Sequence, residues 1–414
     1  MISVRGKQSI AKVFTDTADE ATIRQIETLC AQKFAAESSI RIMPDCHAGK
    51  GCTIGTTMTI KDKVVPNMVG VDIGCGMLVV EIEERKLDLS RLDKCIRRAV
   101  PHGSGVNHRL HRWADQIDVT QLRCWSKLPC STRKDPRLAI GSIGSGNHFV
   151  EVDKDDDDNL YLVIHTGSRN LGLQIAEYYQ QAAYDALHGK DSYHKEREAS
   201  QRRAIVDRLT EAGREQDISE ALRAYKYDPE IPEELFIIPF ELSYCKGDLF
   251  DDYIHDMKIA QDFATLNRKA VSDEIQCGMR YKIKDEWETR HNYIDTDRMI
   301  LRKGAIAAEA GQIAIIPMNM RDGSLIVKGK GNPDWNYSAP HGAGRLMSRT
   351  EARNTIPMKD YKLAMEGIFS TSVSSSTVDE APQAYKPMEE IVKNIQDTCE
   401  ILKVIKPIYN FKAS

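Results

Sequence analysis

Along the first third of the chain, short apolar runs rich in β-branched residues are punctuated by glycine. Thr53-Ile-Gly-Thr-Thr-Met-Thr-Ile60 and Met68-Val-Gly-Val-Asp-Ile-Gly-Cys-Gly-Met-Leu-Val-Val-Glu-Ile82 therefore predict strands broken by glycine turns. Between residues 18 and 36 the apolar positions Ile23, Ile26, Leu29 and Cys30 fall at helical spacing. From about 173 to 280 glycine becomes scarce and Arg, Lys and Glu abundant, which predicts helices at Leu173–Ala186, Arg197–Ala212 and Asp251–Asn267. Glycine and short strands return from 300 to 350. Ile391, Ile395, Thr398, Leu402 and Ile405, following Pro387, predict a helix near the C-terminus.

One predicted hairpin places chemistry. His148-Phe-Val-Glu-Val152 and Leu160-Tyr-Leu-Val-Ile-His165 are apolar runs joined by the polar loop Asp153-Lys-Asp-Asp-Asp-Asp-Asn159. If the loop closes near 152 and 160, residue 148 lies opposite 164 or 165. Cross-strand neighbours have Cβ atoms roughly 5 Å apart, so His148 and His165 would meet at the end away from the loop. The four aspartates of the loop read as a solvated turn, because nothing pre-organises them around an ion. Together these elements predict an α+β fold, β-rich, with a helical insertion at approximately 173–280.

Composition narrows the function classes. Charged residues are 29% and hydrophobic ones 41%, as in ordinary globular proteins. No run approaches the ~18 apolar residues of a membrane span. Met1-Ile-Ser-Val-Arg-Gly-Lys has no apolar stretch of the kind a secretory leader carries. A cytoplasmic protein with no membrane partner is expected. The ten cysteines form no CxxC pair, so most are expected to be buried free thiols. The net charge of −4 argues against a wholly nucleic-acid-coated surface but leaves room for a basic cleft. A basic stretch runs from Arg97 through Arg98, Arg109, Arg112, Arg123, Lys127, Arg133 and Lys134 to Arg137, with Trp113 and Trp125 interleaved. It reads either as a solvated, mostly helical surface or as an RNA contact.

Five segments join glycine turns to metal-ligating or nucleophilic side chains: Met43-Pro-Asp-Cys-His-Ala-Gly-Lys-Gly51, Gly70-Val-Asp-Ile-Gly-Cys-Gly76, Gly144-Ser-Gly-Asn-His148, His165-Thr-Gly-Ser-Arg169 and His341-Gly-Ala-Gly-Arg345. Arg290-His-Asn-Tyr293 adds a lone histidine. Singly, each His or Cys reads more readily as a satisfied core residue; their joint occurrence is the signal. Asp72 and Cys75 offer a hard oxygen and a soft thiolate three residues apart, and with His148, His165 and His291 they exceed what one tetrahedral ion needs. Two ions sharing the thiolate is the economical arrangement, with zinc or manganese as the metal.

In this order, MPDCHAGKG, GVDIGCGM, GSGNHFVEV, HTGSRNLG, RHNY, RKGA and HGAGRLMSRT resemble the motif series of the RtcB family of RNA-splicing ligases, from about residue 40 to the C-terminus. The resemblance implies an enzyme that joins an RNA 3′-phosphate or 2′,3′-cyclic phosphate to a 5′-hydroxyl. It also implies GTP, two Mn2+ ions and a histidine–GMP intermediate. Because the motif residues must converge on one site, it implies, with the pattern of elements, one compact catalytic domain over 1–414. By that resemblance Asp72, Cys75, His148, His165 and His291 are the metal ligands, Cys75 bridging. His341 is the histidine that takes GMP, and Asp45 an essential acidic residue near the site. Asn147, Phe149, Glu151, Ser324, Gly342, Ala343, Gly344, Tyr385 and Lys412 are expected in the GTP site, Lys412 meeting the guanine. Arg169, Arg345 and Arg349 are expected to hold RNA phosphates. The implied partners are RNAs with broken ends, such as tRNA halves or damaged RNA, and an archease-like activator.

The sequence departs from the family pattern after Pro317, where Met318-Asn-Met-Arg321 replaces a Gly-Ser-Met-Gly turn, so that Asn319 stands for a serine contact to the nucleotide. The ending Lys412-Ala413-Ser414 replaces a terminal lysine-glycine. Arg345 and Arg349, four apart, would share a face if their segment is helical. Two other readings compete. A two-metal phosphoesterase or nuclease needs the His, Cys and Asp cluster but neither His341 nor Lys412. An RNA-end binding protein that no longer ligates is the reading without an enzyme.

Overall fold

The computed structural model describes residues 1–188, 192–226 and 238–413. Two antiparallel-rich sheets organise them. The first has six strands in the order Ile2–Arg5, Ile10–Val13, Ile40–His47, Ile54–Thr59, Ile300–Lys303 and Asn292–Asp295. Its one parallel pairing joins Ile10–Val13 to Ile40–His47 across the helix Glu20–Cys30, as a crossover requires. The second has seven strands, all antiparallel: Ile283–Arg290, Gly76–Ile82, Leu160–Thr166, Phe149–Lys154, Cys399–Lys412, Gly323–Gly329 and Ile313–Asn319. The fold is α+β.

Alternation along the second sheet builds two cores. Leu78, Val80, Val150, Val152, Leu162 and Ile164 pack on one face against Val271 and Ile275 of the helix Asp248–Met279. Met77, Val79, Tyr161, Val163, Ile315 and Ile405 pack on the other. The largest core lies around the first sheet. It takes in Ile175 and Tyr179 of the helix Arg169–His188 and Tyr253, Met257 and Phe263 of Asp248–Met279. The two helices that frame the predicted helical stretch are thus core elements. Ser192–Glu211 and Ile218–Ala224 lie between them, and residues 189–191 and 227–237 of that stretch fall outside the described residues.

Three local expectations change. The hairpin extends further toward its loop: Lys154 pairs with Leu160 and Phe149 with His165, so His148 lies one step beyond the strand. The reason is Asp155, whose carboxylate accepts the Asp157 and Asn159 amides and closes a shorter turn. The stretch predicted as strand from Met68 begins instead with a helical turn, Pro66–Val69, and a glycine-bearing bend; the strand starts at Gly76. Near the C-terminus the helix stops at Asn394, and Cys399–Lys412 forms a strand of 14 residues. Its apolar residues satisfy a helical spacing, but the open slot between Phe149–Lys154 and Gly323–Gly329 offers a ladder on both sides.

The basic stretch is also less helical than expected. After the helix Leu89–Ala99 it runs as short 3-10 turns. Several of its cations are already paired: Arg97 with Asp93, Arg112 with Asp273, Arg137 with Asp135. Trp113 donates to Asp273, and Trp125 packs on the main core. All ten cysteines are free thiols, eight of them buried. No helix among the described residues is long and apolar enough to cross a membrane.

Candidate active site

Register explains why residues distant in sequence meet. In the second sheet Arg290 pairs with Gly76, Gly76 with Thr166, His165 with Phe149 and Phe149 with Lys412. The strand ends carrying His291, Cys75, His165, His148 and Lys412 therefore sit side by side along one rim. His291 lies where the chain leaves this sheet and enters the first, at Asn292. The first sheet presents Asp45 and Ile54 from its facing strands.

At the rim, two triads share Cys75: Asp72, Cys75 and His148 form one, and Cys75, His165 and His291 the other. The Cys75 Sγ lies 3.3 Å from Nε2 of both His148 and His165. His148 Nε2 is 2.9 Å from Asp72 Oδ2, and His165 Nε2 is 3.4 Å from His291 Nε2. His165 Nδ1 is bonded to the Asn147 carbonyl, which fixes the tautomer and leaves Nε2 a bare lone pair. That lone pair faces a sulfur and a second imidazole nitrogen, an arrangement that a cation resolves better than protons do. Burial pushes His165 and His291 well below the ordinary histidine range, so both are neutral, the ligating form. Burial and the neighbouring Asp72 push the Cys75 thiol up. Burial also opposes ionisation of Asp72, but His148 outweighs it and Asp72 stays below the usual carboxylate value. Asp72 further accepts the Ser168 amide. Gly167 is required here: a Cβ on it would lie 2.2 Å from Asp72 Oδ1. The donor set of oxygen, thiolate and three imidazoles fits a transition metal.

His341 stands beside this cluster, its ring centroid 4.9 Å from that of His291. Its Nδ1 is 2.7 Å from Oδ2 of Asp45, which is fully buried and also accepts the His341 and Gly342 amides. With Nδ1–H donated to the carboxylate, Nε2 carries the free lone pair. Gly344, at φ 75°, lets the loop lie against Asp45, where a Cβ would approach the Asp45 carbonyl oxygen to 2.3 Å.

Beyond His341 opens a cavity of about 280 Å³. Asn147, Phe149, Glu151, Asn319, Gly342, Ala343, Gly344, Tyr385 and Lys412 line it, as do His165, His291, His341, Arg345 and Arg349. Glu151 accepts from Asn410 and is pushed up by burial. Asn319 donates to Asp322 and caps the turn that also turns Arg321 outward onto Asp322. Met318 and Met320 are buried at the cavity wall; Met318, where the family pattern has glycine, makes this wall more apolar.

Two expected contacts stand elsewhere. Ser324 is buried in its strand opposite Pro317 and Ile405, outside the cavity lining. Arg169 is also outside it, donating to the carbonyls of Gly103 and Gly105 and to Ser142. Arg345 and Arg349 are not on one helical face, because the helix begins only at Arg349. They converge through a shared acidic pair instead. Arg349 meets Asp379 at 2.8 Å and Glu380 at 2.6 Å, while Arg345 reaches the Asp379 carbonyl, Glu380 and the Tyr385 hydroxyl. Glu380 also accepts from Lys412 and from Tyr385. Burial opposes its charge, yet Lys412 and Arg349 hold its carboxyl down at about 2. Sequence reasoning missed Asp379 and Glu380, an acidic dipeptide in a serine-rich segment with no local sign of the cations that fold onto it.

A buried cluster able to hold metal and an aspartate-bound histidine thus open on one cavity. A family model described as tRNA-splicing ligase RtcB matches residues 25–124 and 126–413, and the chain belongs to the RtcB family of RNA ligases. It is 29% identical over 406 aligned positions to RNA-splicing ligase RtcB of Escherichia coli strain K12, covering 89% of this chain and 88% of that protein. It is 30% identical, with the same coverage, to RNA-splicing ligase RtcB1 of a second Escherichia coli strain. A tRNA-splicing ligase RtcB of Aeropyrum pernix is 26% identical, over 91% of this chain and 87% of that protein.

Proposed function

We propose that this ligase joins an RNA 3′-phosphate or 2′,3′-cyclic phosphate end to a 5′-hydroxyl end, using GTP and manganese and passing GMP through His341. The observation that carries the reading is the 2.7 Å contact of His341 with buried Asp45, at the edge of the cavity and against the metal-type cluster. Asp45 holds the ring so that Nε2 attacks the α-phosphorus of GTP, expelling pyrophosphate, and stabilises the positive charge the ring gains. A 2′,3′-cyclic end is first opened by water, which breaks the bond to the 2′-oxygen and leaves a 3′-phosphate; His341 then passes GMP to the RNA 3′-phosphate, and the 5′-hydroxyl attacks that anhydride as GMP leaves. Asp72, Cys75, His148, His165 and His291 would hold two Mn2+ ions, which supply charge neutralisation on the phosphate oxygens. Asn147, Phe149, Glu151, Asn319, Gly342, Ala343, Gly344, Tyr385 and Lys412 would receive the nucleotide, with the Ser324 strand as support. The substrate is RNA with broken ends in repair or tRNA splicing, in the cytoplasm, and an archease-like activator is a candidate partner.

The role of Asp45 is testable apart from metal binding. Asp45→Asn keeps a hydrogen-bond acceptor but loses the charge, and is expected to slow GMP transfer to His341 by about 10²–10⁴-fold while bound metal stays unchanged. Label appearing at the wild-type rate in single-turnover measurements would remove Asp45 from the chemistry.

Arg345 and Arg349 are proposed to hold RNA phosphates, exchanging carboxylate partners for phosphate; Arg169, tied to the 103–105 carbonyls, would serve the same RNA by shaping that loop. Replacing both Arg345 and Arg349 with Ala is expected to weaken RNA binding about tenfold to 100-fold, or ~1.4–2.8 kcal/mol, with a shallower salt dependence. Guanylylation of His341 should stay nearly normal. Loss of guanylylation in step with ligation would instead give these arginines to the nucleotide.

A further inference from the structure

We propose that Glu380 is a positioning residue shared by the two halves of the site: its carboxylate fixes Lys412 for the purine base and neutralises Arg345 and Arg349 until an RNA phosphate displaces it. This rests on the reading that His341 takes GMP from GTP.

Glu380 is only 2% exposed, and each of its oxygens serves a different partner set. Oε2 accepts from Lys412 Nζ at 2.6 Å and from the Tyr385 hydroxyl at 2.7 Å. Oε1 lies 2.6 Å from Arg349 Nη1 and 3.5 Å from Arg345 Nη1. The partners are unequally dependent on it. Among the described residues Lys412, itself 5% exposed along its side chain, has Glu380 as its one ion-pair partner, with Glu151 acting on it only at longer range. Arg349 keeps Asp379, and Arg345 keeps the carbonyls of Asp379 and Met347. Removing the charge of Glu380 therefore strands a buried ammonium, whereas the arginines lose a competitor for phosphate and keep other anchors.

That asymmetry predicts effects of opposite sign at the two subsites. An ammonium can only donate, so Lys412 aimed by Glu380 favours a purine with a carbonyl at position six over one with an amino group. A lysine released from its carboxylate loses its aim. The phosphate subsite, in contrast, gains net positive charge when Glu380 becomes neutral. A residue that merely stabilised the fold would weaken both subsites together.

The test uses the full chain loaded with manganese, as wild type and Glu380→Gln. Labelling of His341 is titrated with GTP and with ATP in the absence of RNA. In parallel, affinity is measured for an oligonucleotide ending in a 3′-phosphate and for the same strand ending in a 3′-hydroxyl. In Glu380→Gln the GTP concentration for half-maximal labelling should rise about tenfold and the preference for GTP over ATP should shrink. Affinity for the 3′-phosphate strand should hold or increase. Parallel loss at both subsites, or unchanged GTP dependence, overturns the proposal. If the glutamine variant does not fold, Glu380→Asp replaces it: one methylene short, it keeps the charge and should weaken GTP while leaving the RNA end unaffected, and parallel loss again overturns the proposal. A wild-type chain that takes no label refutes the GMP reading itself, which is a separate result from a labelled wild type with an insensitive variant.

Discussion

Cys75→Ala is expected to strip the protein of bound manganese and, with it, of all GMP labelling, while the fold survives. Cys75 belongs to both triads, so among the described residues no other single ligand would be placed to cost both proposed ions. His291→Ala, which touches one triad, should by comparison lose only part of the metal. A buried cysteine acting as a small hydrophobe would give the opposite pattern: about 1 kcal/mol of stability lost and metal content intact. Metal analysis of the purified variants, with thermal melting to show that they are folded, separates the two. Undiminished metal in Cys75→Ala would remove the sulfur from the centre.

The second large effect falls on His341. His341→Ala should leave no covalent GMP and reduce ligation by at least about 10³-fold, since no other side chain can take over a nucleophile's bond to phosphorus. Bound metal should be unchanged, because His341 stands outside both triads. A variant that still ligates would turn the reading toward direct transfer, and one that is inactive through metal loss would make His341 a ligand.

Much of this site was legible in the sequence because its residues sit at glycine turns, where the local motif and the local geometry are the same thing. The meeting of His148 and His165 followed from pairing two apolar runs, although Asp155 moved the turn and with it the register by a step. The convergence of Cys75, His291 and Lys412 was not readable in this way, since it depends on which strands become neighbours in the seven-stranded sheet. The last strand shows the limit most clearly. Ile391, Ile395, Leu402 and Ile405 fit a helical period, yet an empty place between two strands decided the conformation beyond Cys399. Glu380 was invisible for a related reason: its role is set by cations arriving from residues 345, 349 and 412. The pairing of Arg345 with Arg349 survived the loss of its helical rationale, because a common acidic partner rather than a common face brings them together.

The central claim is that His341 carries GMP. Its most direct test is incubation of the full chain with manganese and GTP labelled on the α-phosphate, followed by mapping of the modified residue. The expected result is an acid-labile, alkali-stable adduct on His341, and release of the label when an RNA 3′-phosphate end and a 5′-hydroxyl end are added. An adduct on another residue, or RNA joining by a protein that never acquires label, would contradict it.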